Sequence, residues 1–426
     1  MSQKNTVKKK RFLSWYFDTP IVWRVLIALV LGAIVGLVVG PSITVLEPFG
    51  TLMIKLLQLV VLPMIFFSIV VGVGGTPASK LGRIAGKIMT YYILTTVFAA
   101  TFGLILGHVF DPGLGANLTG TAGAEIAASE APPVSEVLLN MVPSNAIAAF
   151  AQGEYLQVLI FATLVGLAVS FLSDSEDEKV RNAVLNVLDV CRGGSEIMFN
   201  ITHGVLQYTP IGVFALISAI FATEGFAVIG ELGKLILVCY LGYAIQIFVV
   251  YTGLLKAFRL SPKTFFGKAK DFMLMAFATR SSNAVLPVSL TVAEEEMGVS
   301  RTVSGFTLPL GAQVNMDGEA YYQILSVMFV ANAIGVTLSP GQQLMMILAV
   351  TIGSIGTAGI AGSGPVVLLA VMDMVGLSAT PGSAAAAAFA LILGIDVILD
   401  MGRTTANVTG DMVGTCIVGK TENLMD

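Results

Sequence analysis

Apolar residues gather in long runs along this chain. Residues 25–45 and 235–255 are two examples, each free of charged side chains. A helix needs roughly 20 apolar residues to cross a bilayer, so these runs predict membrane-spanning helices. The second half of the chain departs from that length. The apolar stretch between Lys270 and Glu294 carries Arg280-Ser281-Ser282-Asn283 in its middle. Each arm then has about 10 residues, roughly 15 Å as helix and half a bilayer. A hairpin that enters and turns back fits that length, with its tip buried in protein or lining a cavity. Residues 345–375 form a second such hairpin, with Gly356-Thr357-Ala358-Gly359-Ile360-Ala361-Gly362-Ser363-Gly364-Pro365 at the tip. Two ordinary interhelical loops are the alternative.

Lysine and arginine orient these elements, because they concentrate in cytoplasmic loops. The clusters are Lys8 to Arg11, Lys80/Arg83/Lys87, Lys179/Arg181/Arg192 and Lys256/Arg259/Lys263/Lys268/Lys270. Residues 41–54, 88–178 and 223–230 have none; Lys55 and Lys234 are single exceptions near outer ends. The chain therefore starts inside and runs out near 45, in near 83, out near 120, in near 180, out near 226 and in near 262. Both ends of residues 261–301 are basic, so the first hairpin enters from the cytoplasm. The flanks of the second, Ser339-Pro340-Gly341 and residues 378–382, carry no positive charge, so it enters from outside. Residues 302–330 leave the cytoplasm, and the last helix, within residues 383–418, returns to it. Two opposed hairpins, each followed by a polar-interrupted span, are the pattern of an inverted repeat with a midplane site.

Composition agrees: of 426 residues, 55% are hydrophobic and 12% charged, against about 25% charged in soluble domains. The expectation is an all-α, multi-pass protein of the cell membrane with both termini cytoplasmic. The basic N-terminus resembles the start of a signal peptide, but its apolar run is long and no A-x-A-like site ends it. The net charge of −4 carries little weight in such a chain, and no nucleic-acid partner is expected.

Three clusters of polar residues fall inside spans, where they are costly and usually functional. On the last helix, Asp396, Asp400, Thr404, Asn407 and Asp411 share one face, and Arg403 lies beside them. An ion pair of Arg403 with Asp396 or Asp400 is one account. Three carboxylates and an amide exceed what one arginine needs, so a cation site is the other. The second cluster is Gly311-Ala312-Gln313-Val314-Asn315-Met316-Asp317-Gly318-Glu319. Gly318 and the Asn/Asp pair favour an unwound segment, whose free carbonyls suit a hard cation such as sodium; a kinked, self-satisfied helix is the alternative. The third, Tyr91-Tyr92-Ile93-Leu94-Thr95-Thr96, either offers hydroxyls or bonds back to its own helix.

Other signals are excluded. Gly414-Thr415-Cys416-Ile417-Val418-Gly419-Lys420-Thr421 fits the P-loop string, but follows a spanning helix where the mechanism needs a strand. Cys191, Cys239, Cys416, His108 and His203 are scattered, with no nucleophile–base pair or metal-ligand spacing. An enzyme is not expected.

At these residues the chain resembles the dicarboxylate/amino acid:cation symporter family, especially its archaeal sodium-coupled aspartate transporters. The carrying motifs are Thr279-Arg280-Ser281-Ser282, Thr307-Leu308-Pro309-Leu310-Gly311, Asn315-Met316-Asp317-Gly318, Ser354-Ile355-Gly356-Thr357-Ala358-Gly359, and Asp400-Met401-Gly402-Arg403-Thr404 with Asn407-Val408-Thr409-Gly410-Asp411. The resemblance implies the glutamate-transporter fold: eight transmembrane helices and two re-entrant hairpins. It also implies a homotrimer working by an elevator motion. A scaffold would comprise residues 1–85 and 111–222. A transport domain would comprise residues 86–110 and 223–426, with the second hairpin as its gate.

The resemblance also implies roles. One sodium site would use Gly311, Asn315, Asn407 and Asp411. A second would use carbonyls of Gln313, Ser354, Ile355 and Thr357, near the Met316 sulfur. A third would use Tyr92, Thr95, Thr96, Asn315 and Asp317. Asp400 would meet the substrate amine and Arg403 its side-chain carboxylate. Asn407, Thr404 and the stretch Arg280, Ser281, Ser282, Asn283 would hold the α-carboxylate, with Gly359 and Glu319 completing the pocket. No organic cofactor is implied.

Several positions depart from the pattern. Members with acidic substrates usually have Thr at Glu319, Ser at Asn283, Pro at Ala361 and Thr at Gln313. An ionised Glu319 would neutralise Arg403 and repel an incoming aspartate or glutamate. An acidic amino acid is the expected substrate; a neutral one such as serine, alanine or threonine is the alternative. An ion channel is the alternative of a different class.

Overall fold

The structure is a computed structural model that describes residues 19–75, 82–116, 118, 139, 142–224, 227–354 and 362–426. Among these residues the regular elements are all helices, apart from one isolated bridge between Val299 and Met425. The first half holds α1 (Ile21–Val39), α2 (Glu47–Gly74), α3 (Arg83–Phe110), α4 (Tyr155–Leu172) and α5 (Glu178–Glu224). A 3₁₀ turn at Gly40–Leu46 joins α1 to α2. α5, at 47 residues, is about 70 Å long, well beyond the roughly 30 Å hydrocarbon core.

The second half begins with α6 (Ala227–Ile245), continued by a π-helical turn at Gln246–Tyr251. The helix pair α7 (Pro262–Thr279) and α8 (Ser282–Thr291) follows. Ser261 caps α7 and Pro262 opens it, a favoured start. The first arm is therefore 18 residues, longer than its apolar part, because the basic segment containing Lys263, Lys268 and Lys270 is helical too. Arg280 ends the arm at φ 56°, and Ser281 caps α8 by accepting from Ala284 N at 3.3 Å.

Next come α9 (Arg301–Val314) and α10 (Asp317–Ala333), interrupted at Asn315 and Met316. The expected unwinding is present but stops before Asp317 and Gly318, which lie in the first turn of α10. Acidic residues favour that position, because the N-terminal end of a helix is positive. The pair α11 (Pro340–Ser354) and α12 (Gly364–Met374) precedes α13 (Ala384–Thr421), which Ser383 caps. The tip between α11 and α12, residues 355–361, lies outside the described residues. Long apolar helical stretches run over Trp23–Gly74, Arg83–Phe110, Glu178–Ala222, Val228–Ala257 and Ala384–Thr421, the first containing both α1 and α2.

Two packing groups emerge. α1, α2, α4 and α5 pack chiefly on one another. α3 and α6 to α13 form the other group, centred on α10 and α13, whose residues are nearly all buried. The groups meet where α12 touches α2 and α4, and where α13 touches α1 and α5.

At the end of α13, Glu422 is paired with Lys87 and, at 3.1 Å, with Arg83, both at the start of α3. The hydrogen bond from Lys87 lowers the Glu422 carboxyl below its ordinary value. A lowered carboxyl stabilises the fold above its unfolded value and loses that contribution as pH falls through the folded one. The prediction is that the melting temperature of wild type falls on acidification below the ordinary glutamate range, and that Glu422→Gln removes this part of the fall.

Candidate functional site

The interruption between α9 and α10 sets the site. Asn315 N donates to Gly311 O at 2.8 Å, closing α9, and helical bonding resumes with Ala320 N to Met316 O at 2.9 Å. α13 crosses alongside and supplies the missing partners. Asn407 Oδ1 accepts from Gly318 N at 2.8 Å, and Asn407 Nδ2 points to Met316 Sδ at 3.2 Å. Asn315 Nδ2 donates to Asn407 O at 3.1 Å and to Asp411 Oδ1 at 2.9 Å. The approach is so close that a Cβ on Gly318 would collide with the Arg403 carbonyl, and one on Gly311 would fall 2.6 Å from Asp411 Oδ1. Glycine is required at both places for steric reasons. Asn315 Oδ1 is buried without a hydrogen-bond partner among the described residues. An orphaned oxygen beside a buried carboxylate is unusual in a folded protein and is the donor type a hard cation takes.

A second knot surrounds Asp317, which is fully buried. Its Oδ1 accepts from Thr96 Oγ1 at 2.7 Å and Thr95 Oγ1 at 3.2 Å. Its Oδ2 accepts from Gln246 Nε2 and Tyr251 Oη, each at 2.8 Å. Thr95 Oγ1 also lies 3.1 Å from the Tyr91 carbonyl, so its one proton has an alternative acceptor in its own helix. Tyr92 Oη donates to Thr307 O at 2.9 Å. Gln246 and Tyr251 were not anticipated. They are the first and last residues of the π-helical turn that continues α6, a feature common at functional sites, and both donate to Asp317. The available signal was Gln246, a lone amide in an apolar run.

The third knot is ionic. Arg403 is 2% exposed. Its Nε lies 3.0 Å from Glu319 Oε2 and 3.2 Å from Asp400 Oδ1; its Nη2 lies 2.8 Å from Asp400 Oδ1; its Nη1 lies 3.6 Å from Asp396 Oδ1. The guanidinium also sits over the Tyr322 ring, 4.4 Å from the centroid, a favourable cation–π arrangement. Thr404 Oγ1 donates to Asp400 Oδ1 at 3.1 Å, and Arg280, at the α7–α8 turn, reaches Asp400 Oδ2 at 3.7 Å. The expected ion pair with Asp396 or Asp400 is therefore present, together with Glu319.

Ser282 is buried, whereas Asn283 is exposed and accepts from Gln313 Nε2 at 2.9 Å. Asn283 and Gln313, but not Ser282, line a cavity of about 570 Å³ between α2 and α5 on one side and α8 and α9 on the other. Ser354 ends α11; Ile355, Thr357 and Gly359, and with them Ala361, lie outside the described residues.

Three stretches far apart in sequence, on α3, at the α9–α10 break and on α13, thus converge on one buried polar region. Known proteins similar to this chain over nearly its whole length are carriers. The chain is 32% identical over 424 residues to the proton/glutamate-aspartate symporter of Escherichia coli (strain K12), covering 95% of this chain and 94% of that protein. It is 32% identical over 413 residues to the proton/sodium-glutamate symport protein of Geobacillus stearothermophilus, covering 94% of each. It is 32% identical over 417 residues to the C4-dicarboxylate transport protein of Rhizobium leguminosarum, covering 96% of this chain and 90% of that protein. These relatives are transporters, not enzymes. The profile of the sodium:dicarboxylate symporter family matches residues 21–421, so the buried polar region belongs to a membrane transport protein, and the chain is a member of that family.

Proposed function

We propose that the chain is a sodium-coupled secondary symporter of a small amino acid in the cell membrane. It would have eight spans, two re-entrant hairpins and cytoplasmic termini, and would act as a homotrimer. The carrying observation is the α9–α10 break, where Asn315, Asp411 and Asp317 bring oxygen ligands together in a dry interior. The proposed sodium sites are those of the family pattern: Gly311, Asn315, Asn407 and Asp411; Gln313, Met316 and Ser354 with the adjoining tip; and Tyr92, Thr95, Thr96, Asn315 and Asp317. Sodium at the break would hold α9, α10 and α13 in register and so organise the substrate pocket around Asp400, Thr404, Asn407 and Ser282.

An elevator motion is supported by the two packing groups, with α1, α2, α4 and α5 as scaffold and the rest as the moving part. The cavity of about 570 Å³ lies on their boundary. The activities of the relatives support an acidic substrate, glutamate, aspartate or a C4-dicarboxylate, with Arg403 as its reader. One observation favours a neutral amino acid instead: Glu319 already lies 3.0 Å from Arg403 Nε.

Coupling requires reciprocity: sodium must raise substrate affinity by the factor by which substrate raises sodium affinity. Calorimetric titration of the purified protein with an amino acid, at low and at saturating sodium, is expected to give at least a tenfold tighter Kd in sodium, within the usual range of such coupling. Equal affinity in potassium and sodium would remove sodium as the coupling ion.

A further inference from the structure

Charge around Arg403 is unbalanced. The carboxylates of Glu319, Asp396 and Asp400 lie 2.8–3.6 Å from its guanidinium nitrogens. The second cation of the cluster, Arg280, reaches Asp400 alone, at 3.7 Å. Two cations thus face three carboxylates. Glu319 is fixed where it stands. Its second oxygen, Oε1, accepts from Gln323 Nε2 at 2.9 Å, one turn along α10, and the residue is 3% exposed. The guanidinium is enclosed elsewhere by the Tyr322 ring and by the backbone of Gly364, where a Cβ would overlap it. Nη1 is without a hydrogen bond among the described residues, and Asp396 faces it.

A carboxylate brought to Arg403 by a substrate would therefore enter among three others. Like charges in a partly dry site repel strongly; two of them about 4 Å apart weaken binding by on the order of 10²- to 10³-fold at an intermediate effective dielectric. Resting on the symporter reading, we infer that Glu319 stands in for a substrate's side-chain carboxylate: Arg403 is neutralised from within, and the cargo is a small amino acid with an uncharged side chain. Glu319 is then the specificity-determining residue, acting through repulsion as much as through pairing.

The test uses the full chain in proteoliposomes with an inward sodium gradient. Uptake of labelled L-serine, L-alanine and L-aspartate is measured, then competition by each unlabelled compound and by succinate. The expected result is uptake of serine or alanine, with aspartate and succinate competing at least about 10²-fold less well. Glu319→Thr and Glu319→Gln should each narrow that gap by tenfold or more while sodium dependence persists. Aspartate competing within tenfold of the best neutral amino acid in wild type, at neutral or acidic pH, would overturn the inference and leave the symporter reading standing; uptake stimulated by acid would then mark Glu319 as protonated rather than paired. A gap unchanged in both variants would overturn it as well. No sodium-driven uptake of any amino acid would instead overturn the symporter reading and the inference with it. The wild-type competition is decisive even if a variant does not fold.

Discussion

Arg403→Leu is expected to abolish transport and to destabilise the protein by about 3–5 kcal/mol. The size follows from what is left behind. Glu319, Asp396 and Asp400 are each buried to 4% exposure or less, and each depends on Arg403 within 3.6 Å. Removing the guanidinium leaves anions in a medium that cannot solvate them, and Arg280 reaches only one of the three. The measurement is thermal unfolding in detergent, with retention of the native elution profile as a control. Glu319→Leu in the same background is expected to recover part of the loss, because it removes one of the stranded charges, whereas alone it breaks the pair. Neighbouring sites in one ionic network couple in this way. A double variant whose loss equals the sum of the two single losses would show that Glu319 and Arg403 are not energetically linked.

Asp411→Asn is expected to leave the fold intact and to weaken sodium binding by on the order of 10- to 100-fold, since ligand charge tunes affinity at oxygen-ligand cation sites. Asparagine has the size of aspartate and keeps an oxygen that can accept from Asn315 Nδ2, now at 2.9 Å. What disappears is the charge beside Gly311 and the orphaned Asn315 Oδ1. Sodium titration of substrate binding reads the effect. Substrate affinity should return at high sodium, as mass action requires of a ligand that binds the folded state. Unchanged sodium dependence would remove Asp411 from the site.

The legible parts of this protein were those where a physical cost stands out against an apolar background. Asp396, Asp400, Thr404, Asn407 and Asp411 repeat at helical spacing, and all five lie on α13 and are buried. The break near Asn315 was marked by Gly, Asn and Asp in a span. Its limits were not, because whether Asp317 and Gly318 begin the next helix depends on Asn407 accepting from Gly318 N, a contact from another helix. Gln246 and Tyr251 escaped notice for a similar reason. Their run reads as apolar apart from the one amide, and the π-helical turn that aims them at Asp317 has no simple sequence mark. The length of α7 was underestimated because apolarity measures the part in lipid, whereas the Ser261 cap sets where the helix starts. The pairing of Glu319 with Arg403 was foreseeable as a possibility of charge; Gln323 as the anchor of its other oxygen was not.

Sodium-driven accumulation is the most direct test of the central claim. Wild-type protein in sealed proteoliposomes, given an inward sodium gradient and a labelled amino acid, should concentrate the label above its external level and release it when an ionophore collapses the gradient. Equal uptake without sodium, or sodium flux that needs no amino acid and never drives accumulation, would contradict the account and point to a channel.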